Sequence, residues 1–470
     1  MTIQPDRPNR SMLLRLINTL GRPLAKNGFS FLRLDETTLL NKACAQTGLD
    51  DFGDDSFREA LQVLLRAFET EAQLSFVGRI CVHGDSVRLL SNRLRMVADR
   101  RRHPAIAAEV IRRPLFITGL PRSGTTFLHA LLAQDPAHRA PQVWEVMHPS
   151  PPPEQASYAS DPRITTTARE LKWLDLLMPD FETVHLIDAR LPQECIAITS
   201  HDFRSYTFES MYSVPSYRAW HDRQDKRPVY EFHRRFLQHL QWRCPGQRWM
   251  LKAPSHLLAL EDLLQVYPDA GIILTHRDPL KVLASCASFT EVLRRGFSDH
   301  LDKASLAQEV LERWVEGAGL AVKYRQDQGD LHRQLFDVHY AELLRDPMSM
   351  VRRIYGFFDL ELTEAAETAM ERFLLANPKN KGGVHRYSLE EFGFDPETER
   401  RRKEKPFFVN GRAMVLIRRK SIERLGWLGC CIVMADLVAG GILGADYSRP
   451  DSVDFPALYP GRGHSTTGER

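Results

Sequence analysis

Apolar residues recur at helical spacing through the first part of the chain. Across Ser56–Leu74, Leu61, Leu64, Leu65 and Phe68 fall on one face, which predicts an amphipathic helix. Val87–Ile111 continues in the same mode. From Pro114 the pattern changes to short apolar runs alternating with helical stretches. "LFITG" (Leu115–Gly119), "RWMLKAP" (Arg248–Pro254), "AGIILTHRD" (Ala270–Asp278) and "QLFDVHYAELL" (Gln334–Leu344) read as strands. Helices are predicted over Gly124–Ala133, His256–Pro268 and Pro279–Arg295. This alternation predicts an α/β domain with a mainly parallel sheet. Ligands of such sheets bind beyond the carboxyl ends of the strands. Met147–Gln155, "MHPSPPPEQ", reads as a rigid proline-rich connection. The expected organisation is a helical region over 1–110, an α/β domain over 111–399, and an extension over 400–470.

Composition adds exclusions. With 470 residues, 43% hydrophobic and 26% charged, the chain is a globular protein. A net charge of +3 argues against a general nucleic-acid binder. The seven cysteines contain no C-x-x-C pair, which argues against a disulfide framework or a zinc site and for a reducing, cytoplasmic setting. Gly426–Ala445 has the length of a membrane span but contains Asp436 and five glycines, so membrane contact there is the lesser reading.

The run "PLFITGLPRSGTTFLHALL" (Pro114–Leu132) has the layout of a phosphate-binding loop: a strand, a glycine-bounded turn, then a helix. Gly119 and Gly124 have the nucleotide-loop spacing, but the lysine expected after the second glycine is absent and Thr125 and Thr126 follow. The loop's cation is Arg122. Arg122, Ser123, Gly124, Thr125 and Thr126 are candidate anion ligands. A second constellation, "THRDPLKVLAS", puts Arg277 at a strand end and Ser285 eight residues on, where both can hold a second phosphate.

These two motifs, in this order, resemble the signatures of sulfotransferases that use 3′-phosphoadenosine-5′-phosphosulfate (PAPS), especially a bacterial branch similar to the protein-tyrosine sulfotransferases. The resemblance covers roughly residues 114–395. It implies a P-loop-containing nucleotide-binding fold and transfer of a sulfonate from PAPS to a hydroxyl, without a metal. It sets Arg122 against the sulfonate and the leaving 5′-phosphate, and Arg277 and Ser285 against the 3′-phosphate. Lys252 in "WMLKAPSH" matches a lysine that stabilises the transferring sulfonate. Glu145 in "APQVWEVMHP" stands about one residue from the family's catalytic glutamate and is taken as the general base, with His148, His201 and His256 as rivals. Glu194 and His201 are read as shaping the acceptor pocket. Lys381, Gly382, Gly383 and Arg386 match a late basic-glycine segment that closes over the 3′-phosphate. The acceptor is a small-molecule, glycan or lipid hydroxyl. A P-loop small-molecule kinase and a non-catalytic nucleotide-binding protein are the alternatives.

Overall fold

The computed structural model describes residues 14, 16–21, 32–178, 181, 187–327, 333–377, 390–393, 407–409 and 412–414. A sheet of five strands runs in the order β2–β3–β1–β4–β5, every pairing parallel. The strands are β1 (Leu115–Gly119), β2 (His138–Arg139), β3 (Arg248–Lys252), β4 (Gly271–His276) and β5 (Leu335–His339). The helices that matter below are, in chain order, α1 (Glu36–Thr47), α2 (Phe57–Thr70), α3 (Phe76–Arg102), α4 (Thr125–Leu132), α5 (Val143–Met147), α6 (Cys195–Thr199), α7 (Arg227–Gln241), α8 (Pro279–Phe297), α9 (Lys303–Asp327) and α10 (Tyr340–Arg345).

β1 and β4 are buried along their whole length, as central parallel strands covered on both faces must be. The two faces divide by strand period. Phe116, Leu251, Ile272 and Leu274 pack with Phe236, Leu237 and Leu240 of α7. Leu115, Ile117, Met250 and Ile273 pack with Leu128, Leu131 and Leu132 of α4. The register sets Ile117 opposite Lys252 and Gly119 opposite Thr275, so the carboxyl ends of three strands lie side by side.

α3 begins at Phe76, eleven residues before the expected start at Val87, with Ser75 capping the Gly78 amide at 3.0 Å. It ends at Arg102 because His103 precedes Pro104, and a pre-proline residue disfavours helix. The helical region does not pack alone. Leu61, Leu64, Phe68 and Leu90 share one apolar cluster with Phe203, Tyr217, Leu293 and Phe297. The predicted strand at Arg248–Pro254 stops at Lys252, and Pro254 opens a 3₁₀ turn. The strand read over Gln334–Leu344 ends at His339, after which the chain turns into α10. β2 was not legible in the pattern, being two residues long.

No helix among the described residues is long and apolar enough to cross a membrane. Gly426–Ala445 lies outside them, as do Lys381, Gly382, Gly383 and Arg386.

Candidate active site

The loop between β1 and α4 needs its glycines. Gly119 has φ +141°, and a Cβ there would lie 2.5 Å from the Thr275 carbonyl oxygen, so only glycine lets β1 and β4 approach at their ends. Gly124 has φ +95°, and its Cβ would meet the Tyr340 ring at 2.9 Å. Arg122 adopts φ +63°, a left-handed conformation that an ordinary residue enters at a cost of about 1–2 kcal/mol. The turn delivers the backbone to the N-terminus of α4, whose first amides have no acceptor within the helix.

Two contacts interlock the loop with the second motif. Arg122 Nε donates to Ser285 Oγ at 3.1 Å. Arg277 Nη1 donates to the Arg122 carbonyl at 2.6 Å. The Arg277 guanidinium also lies 4.4 Å from the centre of the Tyr340 ring, the ring that closes on Gly124. Residues 155 positions apart thus form one basic patch at the carboxyl ends of β1 and β4. Lys252, at the end of β3, is only 1% exposed. Its Nζ donates to Thr126 Oγ1 at 3.2 Å and forms an ion pair with Glu194 Oε1.

The structure therefore brings Arg122, Gly124, Thr126, Lys252, Arg277 and Ser285 together. Ser123 and Thr125 follow in the same turn, but the Ser123 side chain faces the sheet. It is fully buried, donates to the Leu120 carbonyl and meets Thr275 Oγ1 at 2.5 Å. Its hydroxyl pins the loop to β4 instead of presenting itself to a ligand.

Glu145 needs a correction. It is fully buried at the N3 position of α5, where Oε2 accepts from the Gln142 amide at 2.8 Å and from the Tyr158 hydroxyl at 2.9 Å. Oε1 pairs with Arg139, itself buried and bonded to the carbonyls of Leu240 and Cys244. None of these partners belongs to the loop, the end of β3 or α8. The carboxylate neutralises a buried arginine and caps a helix.

The histidine rivals divide similarly. His148 Nε2 pairs with Glu170 at 2.8 Å. His201 is buried, with Nδ1 against the carbonyls of Ala197 and Ile198 and Nε2 3.1 Å from Asn92 Nδ2, and burial pushes it down to about 3. His256 is also buried, its Nδ1 2.9 Å from the Tyr230 hydroxyl. Burial, with His233 and Lys252 nearby, holds it well below the ordinary histidine value. Its Nε2 has no hydrogen-bond partner.

Glu194, read from sequence as a pocket residue, is the carboxylate that meets Lys252. It occupies the N-cap position of α6. Its strand-like approach is set by an isolated bridge between Gln142 and Pro192 and by the Gln193 amide donating to the Pro141 carbonyl at 2.7 Å. Between α6, α7, α9 and the turn after β3 lies a cavity of about 90 Å³ lined by Ile196, Tyr206, Tyr230, His256, Leu258 and Leu320, among others. Cys195 opens onto the same cavity, and burial holds its thiol protonated, pushed up to about 12.

Comparison with known proteins points one way. Residues 114–364 match the sulfotransferase family. The chain is 24% identical over 306 residues to the omega-hydroxy-beta-dihydromenaquinone-9 sulfotransferases Stf3 of Mycobacterium bovis and Mycobacterium tuberculosis, covering 59% of this chain and 71% of theirs. Among solved structures it resembles the sulfotransferase STF1 of Mycobacterium tuberculosis at TM-score 0.70 and 33% identity, over 78% of this chain and 98% of that one. It resembles the sulfotransferase STF9 of Mycobacterium avium at TM-score 0.71 and 31% identity, over 80% and 97%.

Proposed function

The chain belongs to the sulfotransferase family and moves a sulfonate from PAPS to a hydroxyl, and from that premise we propose which of its residues do so. Arg122, Thr126 and Lys252 receive the sulfonate, aided by the first amides of α4. Arg277 and Ser285 receive the 3′-phosphate. Glu194 accepts the acceptor's proton. The observation that carries this reading is Lys252 Nζ, held between Thr126 Oγ1 and the Glu194 carboxylate. It joins the loop to the proposed base through a buried lysine. A base must stand within hydrogen-bond reach of the reacting hydroxyl, and the contact with Lys252 sets the Glu194 carboxylate next to the cation that receives the sulfonate in this reading.

The step balances simply. The acceptor oxygen forms a bond to sulfur, the bond from sulfur to the 5′-phosphate oxygen breaks, and the acceptor's proton moves to Glu194. Negative charge grows on the leaving phosphate. Arg122 and Lys252 stabilise it as preoriented cations in a site of low exposure. Two fixed cations match the modest charge of a sulfonate, so the reading assigns no divalent ion. The kinase alternative, which requires a metal bridging two phosphates, finds no support in the family match.

The acceptor we infer is an alcohol or phenol on a mainly apolar body. The cavity that opens at Cys195, next to Glu194 in the chain, offers Tyr206, Tyr230, Ile196 and Leu258, surfaces for rings and aliphatic chains, together with Asp222, Lys226, Arg313 and Glu316, which can meet polar groups of the same acceptor. The relatives named for a hydroxylated menaquinone act on an acceptor of that kind. The test is a panel of lipid alcohols, phenols, glycans and tyrosine peptides, with mass detection of an added sulfonate and of 3′,5′-adenosine bisphosphate. Apolar hydroxyl compounds should turn over with excess EDTA present. Turnover confined to glycans would overturn the acceptor class, and a magnesium requirement would overturn the metal-free step.

A further inference from the structure

One buried polar side chain of α4 has no part yet in the crevice. His129 stands between Leu128 and Leu131, which pack on the sheet, and is itself 1% exposed. A histidine so placed costs free energy unless its ring is hydrogen-bonded. Its Nε2 lies 3.0 Å from the main-chain carbonyl oxygen of Met250 in β3. A carbonyl only accepts, so Nε2 carries the ring's proton and donates it. Burial, with Lys252 nearby, pushes His129 down to about 3, so the ring adds no charge to the crevice at neutral pH.

The place of this contact gives it a consequence. His129 follows Thr126 by three residues, about one turn of α4. Met250 precedes Lys252 by two, and side chains two apart share one face of a strand. The same helix and strand are therefore joined by successive rungs: His129 on the Met250 carbonyl, and Lys252 Nζ on Thr126 Oγ1 at 3.2 Å. The second rung ends on an ammonium at the tip of a flexible four-carbon stem. The first ties a ring of α4 directly to the main chain of β3. That tie falls where β3 has lost a neighbour, because β2 pairs only with Arg248 and Trp249, and from Met250 to Lys252 the ladder runs to β1.

We propose that His129 is a positioning residue for sulfonate transfer: by tying α4 to the Met250 carbonyl it holds Lys252 Nζ against the Thr126 hydroxyl. It acts through Lys252 and not on the reacting atoms. The inference rests on the reading of Lys252 and Thr126 given above, and adds the residue that keeps the two in register.

The test is a double-mutant cycle on the full chain, read as kcat for PAPS with 2-naphthol as the hydroxyl compound. Calorimetric affinity for 3′,5′-adenosine bisphosphate and melting temperature are measured beside it. His129→Leu removes the donor and should lower kcat by about 10–10²-fold, the cost of a small misplacement of a catalytic group. Its affinity for the bisphosphate should stay at the parent value, since Arg277 and Ser285 are untouched. His129→Gln, whose amide can donate to the same carbonyl, should recover most of the rate. In a Lys252→Met background, His129→Leu should cost no further rate, because the residue it positions is gone. A lower melting temperature with the parent kcat would make His129 structural only and overturn the inference. So would a loss that adds to that of Lys252→Met, or a His129→Gln as slow as His129→Leu. A slow Lys252→Met beside an unimpaired His129→Leu would sink this inference alone; an unimpaired Lys252→Met would sink the reading of the crevice with it.

Discussion

The Arg277 guanidinium donates a 2.6 Å hydrogen bond to the main-chain carbonyl of Arg122. One cation of the crevice thereby fixes the backbone that aims the other, and Arg122 in turn bonds Ser285, eight residues beyond Arg277. The loop proposed to hold the sulfonate and the strand end proposed to hold the 3′-phosphate are a single mechanical unit. Substitutions at either should be felt at both, in different proportions.

Arg122→Ala should lower kcat by about 10²–10³, the usual loss when one preoriented charge donor is removed. Donor affinity should fall as well. Steady-state kinetics with a folded variant, checked by circular dichroism, measures both. Near-normal turnover would take Arg122 out of the mechanism.

Arg277→Ala should weaken two ligands unequally. Adenosine 5′-phosphosulfate lacks the 3′-phosphate and should lose only what a loosened loop costs. The 3′,5′-adenosine bisphosphate should lose a further ~1.5–3 kcal/mol, the worth of a hydrogen bond to a charged group. Equal losses by calorimetry would mean that Arg277 supports the loop and does not read the 3′-phosphate.

Glu194→Gln and Glu145→Gln should fail in opposite ways. The first keeps the shape beside Lys252 but cannot take a proton, so kcat should fall about 10²–10⁴ with melting nearly unchanged. The second leaves the buried Arg139 without its counter-charge, a loss of about 3–5 kcal/mol in stability. Its folded fraction should turn over normally at low temperature. The converse pattern would restore Glu145 as the base.

His201 predicts an acid-sensitive fold. In the folded chain burial holds it at about 3, against about 6.5 for an ordinary histidine, so the unfolded chain binds the extra proton between those values. Its contribution is therefore complete above pH 6.5 and is lost as the pH falls toward 3. At pH 5 the loss is about 2 kcal/mol, from 1.36 kcal/mol per pH unit. Denaturant unfolding at pH 7 and pH 5 measures it. His201→Gln, which cannot gain the proton, should reduce the difference between the two pH values by a similar amount. An unchanged difference would show that other groups carry it.

The crevice was legible to different depths. The loop around Arg122 and the Arg277–Ser285 pair could be read because each is local: the tight turn demands glycine, and the helix start sets which side chains can face the strand end. Lys252 was readable for a related reason, as a charge closing an apolar strand. Glu145 was misread because its distance along the chain from the loop came within about one residue of the resemblance. Its partner Arg139 is six residues away, and nothing in the spacing says that Arg139 is buried and needs a carboxylate. Glu194 lies 58 residues from Lys252, and no periodicity joins them.

By itself the sequence determined the alternation of strands and helices, the two anion motifs and the parallel sheet, since these follow from short-range sterics and from burial on both faces of a strand. Only the tertiary structure decided which carboxylate meets the lysine. That choice depends on the strand order β2–β3–β1–β4–β5 and on the bridge between Gln142 and Pro192, which carries the chain to Glu194. A charge's partner is fixed by distance in space, and the linear chain does not encode that distance at any one position.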